Sequence, residues 1–321
     1  MQRLLRVTLP LLAFALATTT VHAQAPARII SGFPPGGAVD VLARIFAEKW
    51  GEAIGRPVIV DTRTGATGQI ALEAVKASAP DGNTLTVVPD SNMVIYPHTV
   101  SRPAFEPLRD FLPVAHVGRY DLALAVKTAL PVNNLNEFLT WARANRAEAN
   151  YGTAGSGSLL HFYGLMLGQE SKTSLAHVAY RGAGPAATDL VGGHLTAAIL
   201  PLGTLVQQAR AGKLKLLAIS GGQRSAITPE VPTMKELGFA RLELAGWFGV
   251  FAPAGTPPDT VAKLHEIFQN ATRVPAVREK MLAAGLEPVE MTPAALAAMI
   301  KQDYDHWRPV IKASGFTADS Q

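Results

Sequence analysis

Residues Tyr151 to Leu195 read YGTAGSGSLLHFYGLMLGQESKTSLAHVAYRGAGPAATDLVGGHL, two successive strand–glycine turn–helix units. In the first, a short strand ending at Tyr151 runs through Gly152–Ser158 into a helix that begins near Leu159. In the second, Leu175–Tyr180 is followed by Arg181-Gly182-Ala183-Gly184 and a helix over Pro185–Val191. A glycine turn that opens a helix leaves backbone N–H groups unpaired at the positive end of the helix dipole. Such a place receives anions without a charged side chain. Similar turns occur at Phe33–Gly37 and Thr64–Gly68, so a small anionic ligand is the first expectation.

Outward from this stretch the pattern alternates strand and helix, which predicts α/β layers with mostly parallel sheets flanked by helices. Strands are expected at Arg28–Gly32, Pro57–Asp61, Thr84–Val88, Thr196–Leu200 and Leu214–Ser220. Helices are expected at Ala38–Ala53, Gln69–Ala77, Leu135–Arg143 and Thr204–Ala211. The C-terminal part reads as three helices, each opened by an early proline: Pro258–Thr272, Pro275–Ala284 and Thr292–Ala313. Two apolar segments, Leu122–Val126 and Trp247–Phe251, read as crossings between two lobes. The expected division is 24–122 plus 248–321 for the first lobe and 123–247 for the second, with a ligand cleft between them.

Residues 1–23 combine a basic start (Arg3, Arg6), an apolar run and Val21-His22-Ala23, the pattern of a cleaved secretory signal peptide. Its removal would take two arginines and no acid, lowering the formal charge from +4 to +2. The basic residues are scattered without interleaved aromatics, so no nucleic-acid partner is expected. Zero cysteines exclude disulfides and thiolate chemistry. The histidines show no metal-ligand spacing, and no metal is expected.

Enzymatic readings fare poorly. Gly182-x-Gly184-x-x-Ala187 nominally fits a dinucleotide fingerprint, but Pro185 occupies the turn and no acidic partner follows, so no cofactor is expected. Around Ser156 and Ser158 there is no Gly-x-Ser-x-Gly elbow, which a secreted serine hydrolase would need. No catalytic residue is assigned. His161, one helical turn beyond the loop, is expected to fix the loop by a hydrogen bond, and Asp40 to favour its own helix N-terminus.

At these residues the chain resembles the extracytoplasmic solute receptors of the tripartite tricarboxylate transporter system, the Bug family. The resemblance runs through Phe33-Pro34-Pro35-Gly36-Gly37 with Asp40, Arg63–Gly68, Pro80-Asp81-Gly82, Tyr151-Gly152 and Gly155-x-Gly157-Ser158-x-x-His161. It continues through Tyr180-Arg181-Gly182 and Phe251–Pro257. It implies a two-lobed type II periplasmic-binding-protein fold, a monomer in the periplasm that delivers a small carboxylate to a two-subunit membrane permease. A sensor-system receptor is the alternative. The ligand would be held largely by backbone groups of Phe33, Gly36, Gly37 and Ala38 from one lobe and Thr153, Ala154, Gly157 and Ser158 from the other. Ser91, beside Asp90, is expected to meet the ligand's polar groups. Leu200 and Pro201 stand where the family often has an acidic residue and Asn. With Leu200 facing the cleft, the ligand would have an apolar body and amino acids would bind poorly.

Overall fold

The computed structural model describes residues 26–320, so the signal-peptide reading lies outside the described residues. The chain opens with β1 (Ala27–Ser31), α1 (Ala38–Ile54), β2 (Val58–Thr62), α2 (Gln69–Lys76) and β3 (Thr84–Pro89). β1 pairs in parallel with both β2 and β3. Beyond β3 the chain makes a single π-type turn over Ser91–Ile95 and a 3-10 turn over Tyr96–His98. A short helix, α3 (Pro107–Asp110), leads into β4 (Phe111–Tyr120).

Asp121 is the whole joint between β4 and the next strand, β5 (Leu122–Lys127). That strand belongs to a second sheet. The long apolar run near residues 114–127 is therefore two strands in two sheets. The second sheet is built by α4 (Leu135–Ala144), β6 (Asn150–Thr153), α5 (Leu159–Glu170), β7 (Ala176–Ala179), α6 (Ala183–Val191), β8 (Ala197–Pro201), α7 (Leu202–Arg210) and β9 (Leu214–Ile219). The chain then returns to the first sheet with β10 (Gly246–Pro253) and ends in α8 (Pro258–Arg273), α9 (Pro275–Ala283) and α10 (Pro293–Ser314). Sheet membership changes at Asp121 and again before Gly246, so Leu122 belongs to the second sheet and Trp247 to the first.

The strand orders are β2-β1-β3-β10-β4 and β7-β6-β8-β5-β9. In each sheet four strands share one direction and one opposes them. The opposing strand is β10 in the first sheet and β5 in the second, each entering after a crossing and pairing antiparallel on both sides. Both sheets are thus mixed rather than parallel throughout, a reversal that apolar content cannot reveal.

Burial explains why these segments read as unbroken apolar runs. All eight residues of β10 are buried, as a strand covered on both faces requires. Along β5 the side chains alternate between two cores. Leu122, Leu124 and Val126 join the main cluster, while Ala123 and Ala125 join a smaller one with Leu190, Leu205 and Ile219. α1 faces the main core with Leu42, Phe46 and Trp50. The Phe268 ring of α8 meets Phe46 edge-on at 5.5 Å. Fully burying a side chain of this size contributes roughly 1.5–3 kcal/mol.

Candidate functional site

Thr153 ends β6, and the chain turns through Ala154–Gly157 into α5. Ser158 is the N-cap of that helix: its Oγ accepts from the His161 N–H at 3.4 Å and donates to the Gly155 carbonyl at 2.7 Å. Gly157 has φ +69°, a conformation a glycine adopts cheaply. Its N–H donates to His161 Nδ1 at 3.2 Å. The Thr153 hydroxyl holds the Gly155 N–H at 3.3 Å and lies 2.7 Å from His177 Nε2. The His161 and His177 rings stack with centroids 4.0 Å apart. Burial pushes His161 down to about 4 and, with His161 adding to it, His177 to about 3. Both imidazoles are therefore neutral at neutral pH, and the loop rests on an uncharged, stacked pair, each ring bonded to the loop.

The N-terminus of α5 is met from the other sheet. The Leu159 N–H donates to Ser91 Oγ at 3.1 Å. Ser91 in turn donates to Asp90 Oδ1 at 3.0 Å, and the other Asp90 oxygen accepts from the Trp247 N–H at 3.1 Å. Burial pushes Asp90 up to about 7, against the pull of those hydrogen bonds. The Trp247 indole N–H donates to Asp303 of α10 at 3.0 Å. Ser91 is thereby fixed from β10 and from the C-terminal helix.

The first glycine turn is built differently. A Cβ on Gly32 would lie 2.6 Å from the Gly68 Cα, so the turns after β1 and β2 touch backbone to backbone. The Phe33 ring covers Gly68. Asn92 donates from its amide to the Thr67 carbonyl at 2.9 Å. A Cβ on Gly155 would meet the Thr67 methyl and the Tyr180 carbonyl oxygen, each at 4.0 Å. Turns from both sheets therefore converge at Phe33, Thr67, Ser91, Gly155 and Leu159. Gly36 and Gly37 are exposed, and a Cβ on either would meet no residue of the second sheet within 4 Å. The α1 N-terminus has no side-chain cap on Gly37.

Three expectations change. The Gly36 N–H is taken by Asp40 Oδ2 at 3.0 Å, which also accepts from Arg44 Nε at 3.0 Å. The Gly157 N–H is taken by His161. Neither donor is free for a ligand, because a nearby side-chain acceptor satisfies it first. Leu200 is fully buried in the smaller core opposite Ala123, where it packs the sheet and meets no cleft. Thr67, Asn92 and Tyr180 were not among the expected site residues. Thr67, with φ +53°, carries the strain of its turn, and its place in a glycine-rich βα turn was the available signal.

With this geometry in place, the comparisons with known proteins are decisive. The profile of the tripartite tricarboxylate transporter family receptor matches residues 42–316. The chain belongs to that family. Protein BugT of Bordetella pertussis is 32% identical over 291 residues, spanning 90% of this chain and 89% of that protein. MatC from Rhodopseudomonas palustris, solved with bound malate, superposes with a TM-score of 0.82 at 28% identity, covering 89% of this chain and 98% of its own. R. palustris Rpa4515, solved with adipate, superposes with a TM-score of 0.85 at 27% identity, covering 91% and 98%. The fold is the two-lobed type II periplasmic-binding-protein fold, and the protein is a solute-binding receptor of the Bug type rather than an enzyme.

Proposed function

We propose that the protein is exported to the periplasm, captures a small carboxylate between its two sheets and delivers it to a two-subunit membrane permease. The observation that carries this reading is the meeting of the α5 N-terminus with Ser91 from the opposite sheet. A helix N-terminus presents N–H groups and a positive dipole end to an anion. Ser156 and Ser158 have backbone N–H groups without a hydrogen-bond partner among the described residues, which leaves them to a carboxylate. Thr153, Ala154 and Ser158 would face the ligand from one side, and Phe33, Gly37, Ala38 and Ser91 from the other. Gly36, Gly157, Asp40 and His161 shape the two turns.

MatC with malate and Rpa4515 with adipate support a dicarboxylate. With Leu200 in the core, nothing in the site argues against a hydroxyl or amino group on the ligand. A thermal-shift screen of the chain against mono-, di- and tricarboxylates and amino acids tests the reading. A ligand at 100 times its dissociation constant stabilises the fold by about 2.7 kcal/mol. At least one dicarboxylate should do so; a flat response to the whole panel would overturn the proposal. Uptake of that ligand by cells with and without the permease tests delivery.

A further inference from the structure

Away from the glycine turns, a cavity of about 710 Å³ lies where the chain passes between sheets. Its walls come from the end of β4 (Arg119), the joint (Asp121), the turn after β9 (Gly222, Arg224), the segment entering β10 (Glu243) and Glu287 beyond α9. It shares no lining residue with the converging turns described above.

The charges in this cavity are unequally satisfied. Arg224 Nε reaches both Glu236 oxygens at 3.1 and 2.9 Å. Lys235 Nζ pairs with Glu243 at 2.8 Å, and Arg119 Nε faces Glu287 at 3.3 Å. Asp121 is held more loosely, by an ion pair without a hydrogen bond. It is only 8% exposed, and its Oδ1 makes no hydrogen bond among the described residues. The nearest cation is Arg119 Nη2 at 3.6 Å, beyond hydrogen-bond reach. Gly221 leaves space for this carboxylate: a Cβ there would stand 2.7 Å from Oδ1. Gly222 does the same for Glu243, where a Cβ would stand 2.5 Å from Oε1.

A buried carboxylate without a donor is costly, and the cost is relieved by a partner that brings both a hydrogen bond and a positive charge. Of the cavity's own cations, Arg224 and Lys235 are paired elsewhere, and Arg119 is shared loosely between Glu287 and Asp121, its Nε making no hydrogen bond among the described residues. Among the described residues no group of three acids or histidines has the arrangement to hold a metal ion. A compact group with three donors and one charge meets the need best. We propose that this cavity is a second binding site, for a small molecule carrying a primary ammonium group, with the Asp121 carboxylate receiving that group. Glu243 and Glu287 add to the negative surround, and the mouth admits a short polar tail.

The test uses methylammonium and ethanolamine as probes, with sodium chloride and glycerol at matched concentrations as controls, read by thermal shift and calorimetry. Both amines should stabilise the wild-type protein beyond the controls. Asp121→Asn keeps the side-chain volume and removes the charge, and should weaken amine binding about tenfold or more. Glu287→Gln sits at the exposed rim and frees Arg119 to turn onto Asp121; it should weaken amine binding as well, and it decides the matter if Asp121→Asn folds poorly. Dicarboxylate titrations of the same samples should be unchanged to within about twofold, which separates this site from the cleft. No amine-specific stabilisation, or equal stabilisation of wild type and both variants, would overturn the proposal, as would an equal response to glycerol, which marks a water site.

Discussion

The turns Phe33–Ala38 and Thr153–Ser158 both lead from a strand into the N-terminus of a helix, and both are rich in glycine. In the second, Thr153, Ser158 and His161 take up the loop's hydrogen bonds, and the loop rests on the buried His161 ring stacked on the half-buried His177. In the first, side chains among the described residues bond only at two points, Ser31 Oγ donating to the Phe33 carbonyl at 3.5 Å and Asp40 accepting from the Gly36 N–H, while Pro34–Gly37 are exposed. Glycine content alone therefore does not make a rigid anion cradle. Rigidity comes from side-chain acceptors that sit near the turn in space. On this account the second loop is the preformed half of the site and the first is the adaptable half.

Substitutions should expose that asymmetry. Gly157→Val combines a left-handed backbone with a Cβ only 3.2 Å from the Phe316 ring. It should destabilise the fold by about 3 kcal/mol and weaken ligand binding by about 100-fold, measured by thermal unfolding and calorimetry. An affinity unchanged in this variant would mean that the second loop is not the preformed half.

Acid should loosen the second loop next. The imidazoles of His161 and His177 ordinarily titrate near 6.5, but in the folded protein they fall to about 4 and about 3. Below 6.5 the unfolded chain takes up protons that the folded chain refuses. Their contribution is thus complete above that pH and is lost as pH falls towards 4, at roughly 1.4 kcal/mol per group per pH unit. Asp90 works in the opposite direction, since it is pushed up to about 7 and gains stability as pH falls. Comparing wild type with His161→Gln between about pH 8 and about pH 4.5 isolates the imidazole part. The glutamine variant should lose less stability on acidification; parallel curves would contradict the assignment.

Smaller effects sharpen the comparison. Ser91→Ala removes the acceptor that meets the Leu159 N–H from the opposite sheet. The cost of losing such a cap is about 1 kcal/mol, and ligand affinity should fall about fivefold. Gly37 has φ −82°, and a Cβ there would meet only the Pro34 carbonyl at 3.7 Å. Gly37→Ala should therefore stay within about twofold of wild type in calorimetric affinity. A large loss there would make the first loop as demanding as the second.

Much of this was legible in the sequence, because alternating apolar strands and helix periodicity are local signals. The elements around Ala38–Ile54, Leu135–Ala144 and Pro258–Arg273 fall where spacing and early prolines place them. What escaped is non-local. His161 and His177 meet because β6 pairs with β7, setting Tyr151 opposite His177. The π-type turn that presents Ser91 and Asn92 has no composition of its own. Leu200 illustrates the hardest case: a residue at the end of a strand faces either cleft or core, and only the pairing with Ala123 decides.

The central claim is that backbone N–H groups at the α5 N-terminus hold a carboxylate. It is tested most directly by calorimetric titration with the best dicarboxylate from the screen and, side by side, its uncharged diamide of the same length. The account predicts that the dicarboxylate binds at least about 100-fold more tightly. Equal affinities for the two would contradict it.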